Sequence, residues 1–172
     1  MKVKINGTGL YLPPKIEKSE DIANLIGKSP DWIHQKSGVF ERRISEIDVD
    51  KMGAIAGKKA IGDGQPPDLI INASGVPKQT IPDTSTFFQK EMGYEGIPSF
   101  SIHCTCLSFI VALHTASSLI SSKSYKRILI ISSDSNFSLL RDVAASAERS
   151  TMFLKYCLQQ VVFETLFSTL VC

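Results

Sequence analysis

Two short apolar runs constrain the fold of this chain more than any other feature of its sequence: DLIINAS at 68–74 and KRILIISSD at 126–134. Each run is short, rich in Ile and Leu, and followed by small polar residues, which predicts a strand that is buried on both faces. Helical patterns separate such runs along the chain. This alternation predicts an α/β layered fold in which the strands pair mostly in parallel.

The remaining elements follow from apolar spacing and from capping residues. Ser19 and Ser29 are predicted N-caps, Pro30 stands at a first helical position, and Gly38 follows a helix end. The predicted elements are, in chain order, a strand at 3–13, helices at 19–26, 30–37 and 48–62, a strand at 68–74, a helix at 83–92, a strand at 97–104, a helix at 106–122 and a strand at 126–134.

The helix predicted at 106–122 has little polar surface, because its polar positions are mostly small Ser and Thr residues. A helix that is apolar nearly all round is usually buried on more than one side. We therefore expect this helix to be the buried central helix of its fold. We also expect it to need a second covering surface, supplied by a partner or by a further half of the fold.

Composition excludes several classes of function. The chain has 172 residues, of which 43% are hydrophobic and 21% charged, and this is typical of one soluble core. A net charge of +2 is too small to indicate a nucleic acid or an anionic membrane as partner. Neither a signal peptide nor an apolar run of membrane-spanning length is visible, so we expect a cytoplasmic protein.

Cys104 and Cys106 lie in the stretch SIHCTCLSF and leave several interpretations open. A structural zinc site is disfavoured because no second cysteine pair follows, and Cys157 and Cys172 are isolated in sequence. A disulfide across one residue has poor geometry, and a chain without a secretory signal is expected in a reducing compartment. Packing of both thiols in the core, or a nucleophilic role for one of them, remains.

Position distinguishes the two cysteines. Cys106 falls at the predicted turn from a buried strand into a helix N-terminus, where backbone N–H groups and the helix dipole favour a thiolate. The same donors would stabilise an oxyanion on an attached thioester. Cys104 falls on the strand side of the turn. We therefore predict that Cys106 is a nucleophile and that Cys104 packs in the interior.

Several segments occur in a distinctive order along the chain: INGTGLYLP at 5–13, DWI at 31–33, SGVFERR at 37–43, DLII at 68–71, Pro82, and FSIHCTCLSF at 100–109. Together they resemble the N-terminal half of ketoacyl-acyl-carrier-protein synthase III, a family of thiolase-fold condensing enzymes. The last segment stands where that family has a D-x-x-x-A-C-x-G-F nucleophile elbow. The resemblance implies the N-terminal half of a thiolase-like layered fold, with a mixed, mostly parallel sheet.

The resemblance also implies roles for five residues. Cys106 matches the acyl-accepting cysteine, and Trp32 the aromatic residue that stacks on the adenine of coenzyme A. Lys36 and Arg149 match positions that contact the nucleotide, Lys36 replacing an arginine. Ile81 matches a residue donated across the dimer interface into the partner's acyl pocket.

From the residue types alone, Trp32 would equally suit packing, and Lys36 and Arg149 would suit solvated surface. His103 is expected to be an ordinary satisfied or exposed histidine.

The implied function is acyl transfer with decarboxylative condensation in fatty acid biosynthesis. An acyl group from acyl-CoA would load Cys106, and malonyl-acyl-carrier-protein would then be condensed with it. The resemblance implies a homodimer and no cofactor beyond the coenzyme A thioester substrate. Two alternatives remain open. One is a non-catalytic half-fold subunit of a condensing-enzyme complex, and the other is a related acyltransferase of secondary metabolism or of the hydroxymethylglutaryl-CoA synthase kind.

The chain departs from the family pattern at several positions. Ser108 replaces a glycine, Ser101 replaces an aspartate, and residues 103–105 replace small alanines, which suggests a distinct acyl preference. The resemblance ends at about residue 153, so we divide the chain into a thiolase-like half at 1–153 and an anomalous tail at 154–172. We expect a truncation or a frameshift there. The family's catalytic histidine and asparagine belong to the second half, so we expect impaired condensation.

Overall fold

The computed structural model describes residues 3–79, 81–134 and 169–171. In chain order its elements are β1 (Gly7–Thr8), β2 (Lys15–Lys18), α1 (Ser19–Ile26), α2 (Pro30–Ser37), β3 (Glu41–Ile44), α3 (Val49–Ile61), β4 (Leu69–Asn72), α4 (Thr84–Met92), β5 (Ser99–Ser101), a 3-10 turn (Thr105–Leu107), α5 (Ser108–Ser121), β6 (Ile128–Ile131) and β7 (Thr169–Val171).

The chain divides into two compact units. The described part of the first unit comprises residues 3–11, 47–79, 81–134 and 169–171, and that of the second comprises residues 12–46. None of the described helices combines the length and the apolar character that a bilayer crossing requires.

A mixed five-stranded sheet organises the first unit, with the order β1-β7-β6-β4-β5. The two pairings of β4, with β5 and with β6, are parallel as the sequence predicts. β7 runs antiparallel to both β6 and β1. The sequence pattern did not indicate β7, whose residues 169–171 fall in the segment that we set apart as a tail.

The buried strands carry apolar side chains on both faces of the sheet. Leu69 and Ile71 of β4 pack towards α5, whereas Ile70 between them packs towards α3 and α4. β6 alternates in the same way, since Ile130 belongs to the first cluster and Leu129 to the second. All of these side chains are fully buried, which stabilises the unit by roughly 1.5–3 kcal/mol for each.

Glycines allow α3 to approach its neighbours closely. A Cβ atom at Gly7 would lie 2.1 Å from the carbonyl oxygen of Ala60. Regular pairing in β1 is limited to Gly7–Thr8, within the strand predicted at 3–13. A Cβ atom at Gly53 would lie 2.3 Å from the ring of Phe88 in α4. α3 therefore packs against β1 and α4 at distances that exclude larger residues at these two positions.

α5 begins two residues later than predicted, at Ser108, because Cys106 lies within the 3-10 turn that precedes it. The helix packs on β4 and β6 through a stripe of small and apolar residues at intervals of four, Ala112, Ala116 and Ile120. Ile110 is 57% exposed, so the helix is not covered on every side.

The second unit contains the β2–β3 hairpin, α1 and α2. Ser29 caps α2 as predicted, since its hydroxyl accepts the N–H of Trp32 at 3.2 Å. The predicted cap at Ser19 is wrong: Ser19 is the first residue of α1, and its hydroxyl lies 2.7 Å from Nε2 of His34. The hairpin was not predicted because its strands are short and charged, and Arg42 of β3 pairs with Glu17 of β2.

Candidate functional site

Cys106 lies in the 3-10 turn between the carboxyl end of β5 and the start of α5, as the sequence predicts, although β5 is half-exposed and not the buried strand that we expected. Its side chain is exposed. Cys104 is exposed as well, so the prediction that Cys104 packs in the interior is wrong. The physical reason is that β5 ends at Ser101, and the backbone at Cys104 has already left the extended conformation, with φ −131° and ψ 36°.

Hydrogen bonds within the turn fix the backbone around Cys106. Thr105, immediately before it, has a left-handed φ of 51°. The hydroxyl of Ser108 accepts the Cys104 N–H at 2.9 Å and donates to the Thr105 carbonyl at 2.7 Å. The Leu107 N–H also donates to the Cys104 carbonyl, at 3.1 Å. Cys106 is thus presented on a tight turn that is bonded on both of its flanks.

A polar network lies at the carboxyl ends of β4 and β5. The side-chain amide of Asn72 donates to the hydroxyl of Ser101 at 2.8 Å, and that hydroxyl donates to Asp83 at 2.9 Å. The side-chain oxygen of Asn72 accepts both the N–H and the hydroxyl of Ser74, at 3.0 and 2.6 Å. Ser101, which stands where the family has an aspartate, therefore links β4 to the N-cap residue of α4.

Asp134 lies just beyond the carboxyl end of β6, and its carboxylate holds the loop after β4. It accepts the N–H of Gly75 at 3.1 Å and the N–H of Val76 at 2.6 Å. Burial raises the pKa of Asp134 above 3.8, while the two backbone hydrogen bonds and the nearby His103 act in the opposite direction. The carboxyl ends of β4, β5 and β6 thus bring together Asp134, His103 and the cysteine turn.

Ile81 is 84% exposed, which leaves it available for a role outside its own unit. Its carbonyl accepts the side-chain amide of Gln79 at 2.7 Å. Lys78, on the same loop, is anchored by ion pairs to Asp50 at 2.5 Å and to Asp48 at 3.2 Å. The hydrogen bond with Asp50 is the main cause of a raised pKa at Lys78.

Trp32 and Lys36 both lie on α2 in the second unit, four residues apart and hence on one face of the helix. Trp32 is partly buried against the cluster formed by Ile22, Ala23 and Ile33. The ammonium of Lys28 lies 5.9 Å from its ring centroid, within the range of a cation–π contact. Lys36 is exposed. Part of the indole and the Lys36 ammonium are therefore accessible to a ligand.

Arg149 and the boundary at residue 153 lie outside the described residues, so these predictions remain as stated. Among the described residues, no group of three or more His, Cys, Asp or Glu side chains is arranged to hold a metal ion.

Sequence reasoning missed the polar residues at this edge of the sheet and the one that bonds the cysteine turn. Asn72, Asp83 and Asp134 were not singled out, and Ser101 and Ser108 were noted only as departures. A signal is visible in the sequence for Asn72 and Asp134, because each stands among the small polar residues that end an apolar run. In parallel sheets such residues meet at one edge.

Comparison with known proteins gives a consistent result. The profile of the family described as 3-oxoacyl-[acyl-carrier-protein (ACP)] synthase III matches residues 100–155. The chain is 35% identical over 147 residues to the beta-ketoacyl-[acyl-carrier-protein] synthase III of Rickettsia bellii, covering 81% of this chain and 46% of that protein. It is also 35% identical to the enzyme of that name from Clostridium acetobutylicum, covering 77% of this chain and 42% of that protein. The chain thus spans less than half the length of these curated relatives.

Solved structures agree. The 3-oxoacyl-[acyl-carrier-protein] synthase III of Aquifex aeolicus superposes with a TM-score of 0.71 and 35% identity, over 75% of this chain and 44% of that one. A variant of OleA from Xanthomonas campestris superposes with a TM-score of 0.75 at 16% identity, over 97% of this chain and 53% of that one, which concerns the fold alone.

The sheet, its flanking helices and the cysteine turn define a thiolase-like protein. Within that class, the chain is similar to the N-terminal part of the 3-oxoacyl-[acyl-carrier-protein] synthase III proteins.

Proposed function

We propose that this chain carries the acyl-loading part of the 3-oxoacyl-[acyl-carrier-protein] synthase III reaction, with Cys106 as the acyl acceptor. The observation that carries the proposal is the exposed Cys106 on a hydrogen-bonded turn between β5 and α5. A thiol in this position is accessible to a substrate and adjoins a helix N-terminus, which favours negative charge.

The loading step is a thioester exchange. The sulfur of Cys106 attacks the carbonyl carbon of an acyl-CoA, and a new carbon–sulfur bond forms. The bond to the coenzyme A sulfur breaks, and coenzyme A leaves as a thiolate that takes up the proton lost by Cys106. The acyl group is retained as a thioester on the chain, and no separate cofactor takes part.

The nucleotide part of acyl-CoA is proposed to bind at α2. Trp32 would stack on the adenine and Lys36 would contact a phosphate as a point charge, without the bidentate geometry of an arginine. Arg149 is proposed as a further phosphate contact. The acyl-carrier-protein would be the partner of the condensation step, as the names of the relatives suggest.

Condensation also draws on the part of the relatives that this chain does not match, so the proposal for this chain centres on loading. A homodimer, in which Ile81 of one copy reaches the acyl pocket of the other, belongs to the same proposal. The high exposure of Ile81 supports it.

Intact-protein mass spectrometry tests the proposal. The chain is incubated with short- and medium-chain acyl-CoAs, and the mass gain of one acyl group is followed with time. We expect the gain in the wild type and its loss in Cys106→Ser. No gain with any acyl-CoA would overturn the proposal.

A further inference from the structure

The residue before Cys106 has an unfavourable backbone conformation. Thr105 is β-branched and has a φ of 51°, a left-handed value that costs free energy for any residue with a Cβ atom. Such a conformation persists only when neighbouring contacts hold it. The contacts at this turn therefore determine where the Cys106 side chain points.

The Ser108 hydroxyl provides two of these contacts. It accepts the Cys104 N–H at 2.9 Å and donates to the Thr105 carbonyl at 2.7 Å. These two bonds hold the backbone before and after the peptide bond that joins Cys104 to Thr105. The residue is only 1% exposed, and water therefore does not compete for these bonds. A glycine, which the family pattern has here, could form neither bond.

We propose that Ser108 is a positioning residue for Cys106: its hydroxyl holds Thr105 in the left-handed conformation and thereby aligns the thiol for attack on an acyl-CoA. The alignment of the thiol for acyl loading rests on the proposed function. The energetic link between Ser108 and Thr105 holds whether or not Cys106 is acylated.

Acyl loading and simple alkylation respond differently to alignment. Loading requires a defined approach to a thioester carbonyl, whereas iodoacetamide reacts with any exposed thiol. We expect Ser108→Ala to slow loading from acyl-CoA by about tenfold, as the loss of two hydrogen bonds would predict, while alkylation of Cys106 changes by no more than about threefold. Equal loading rates in Ser108→Ala and wild type would overturn the inference.

Ser118→Ala is the matched control. It removes another serine hydroxyl of α5, one that donates to the His114 carbonyl at 3.0 Å inside the helix. We expect this variant to load at the wild-type rate. A fall equal to that of Ser108→Ala would show that general weakening of α5 is the cause and would contradict the positioning role.

A double-mutant cycle tests the link to Thr105 without any acyl-CoA. Thr105→Gly removes the cost of the left-handed conformation. If Ser108 holds Thr105 in this conformation, Ser108→Ala lets Thr105 relax, and the relief offsets part of the lost hydrogen-bond energy. We therefore expect Ser108→Ala to lower the melting temperature less in the wild-type background than in the Thr105→Gly background, where no such relief is available. Equal shifts in the two backgrounds would overturn the inference.

The outcomes separate the two proposals. If wild-type Cys106 is never acylated, the proposed function fails, and the cycle still decides the Ser108 inference. If Ser108→Ala does not fold, the inference expects Thr105→Gly to restore folding in the double variant. Failure to restore it would count against the inference.

Discussion

At the scale of single residues, Asp134 is the side chain whose environment has the clearest consequence. Its carboxylate accepts the N–H groups of Gly75 and Val76, but it sits where burial raises its pKa. Burial therefore makes the charged form of this carboxylate cost free energy, while its two hydrogen bonds favour that form and hold the loop that follows β4.

The cost is measurable as a pH dependence of stability. Since the folded-state pKa of Asp134 is raised above the unfolded value of 3.8, the folded state binds more protons between these two values. We expect the unfolding free energy of the wild type, relative to Asp134→Asn, to increase as the pH falls through this window and to level off below it. Denaturant titrations at neutral pH and at several acidic values measure the difference.

His103 supplies a matched comparison. Its charge opposes the raised pKa of Asp134, so His103→Gln should increase the pH-dependent difference. A difference that is constant with pH, or that moves in favour of Asp134→Asn on acidification, would contradict this account of the site.

At the scale of elements, the close contact between α3 and α4 depends on Gly53, which has no side chain to separate the two helices. We expect Gly53→Ala to destabilise the first unit by about 1–3 kcal/mol, because its Cβ would lie 2.3 Å from the Phe88 ring and 2.8 Å from Ile131. Thermal unfolding followed by circular dichroism measures the effect.

Gly57→Ala is the control for Gly53→Ala. Its Cβ would meet the sulfur of Met92 at 3.1 Å, and a flexible methionine can move aside. We expect this variant to cost much less, since alanine also favours the helix. Equal losses in the two variants would show that the rigid contact with Phe88 is not the cause.

α2 carries the proposed nucleotide contacts. We expect Trp32→Ala to weaken acyl-CoA binding by about tenfold. We expect Lys36→Ala to weaken it by about a few-fold, and this effect should become smaller as the salt concentration rises. Lys18→Ala, an exposed charge on β2, is the control and should bind as the wild type does. Binding isotherms on Cys106→Ser avoid turnover. Unchanged binding in both α2 variants would contradict a nucleotide site on this helix.

The sequence was informative for elements that bury apolar residues and end at clear capping signals. For this reason β4, α2, α3 and α4 were predicted within one or two residues at each end, and β6 within three. The β2–β3 hairpin was missed because charged, half-exposed strands lack an apolar pattern. Cys104 was misplaced because the end of β5 at Ser101 is set by tertiary pairing with β4, which no local pattern reveals.

At the scale of the whole molecule, the chain spans less than half the length of the curated relatives that it matches, and its described residues divide into two units. β5 is an edge strand of the five-stranded sheet. The loop before α4 carries Ile81, whose side chain is exposed. The proposed homodimer would place this side chain in the acyl pocket of a second copy.

Ile81→Ala tests this arrangement. Removing the side chain would enlarge the pocket, and each additional buried methylene of the acyl chain contributes about 0.8 kcal/mol. We therefore expect the preference in loading to shift towards longer acyl-CoAs, with Ile5→Ala, another exposed isoleucine, as the control. An unchanged acyl preference would contradict the donation of Ile81 to the pocket.

The central claim is that Cys106, and not Cys104, which is also exposed, accepts the acyl group. The most direct measurement is fragmentation mass spectrometry of the peptide that contains both cysteines, after incubation of the chain with acyl-CoA. The account predicts a thioester on Cys106 in the wild type and in Cys104→Ser, and none in Cys106→Ser. An acyl group on Cys104 in the wild type, or undiminished acylation of Cys106→Ser, would contradict it.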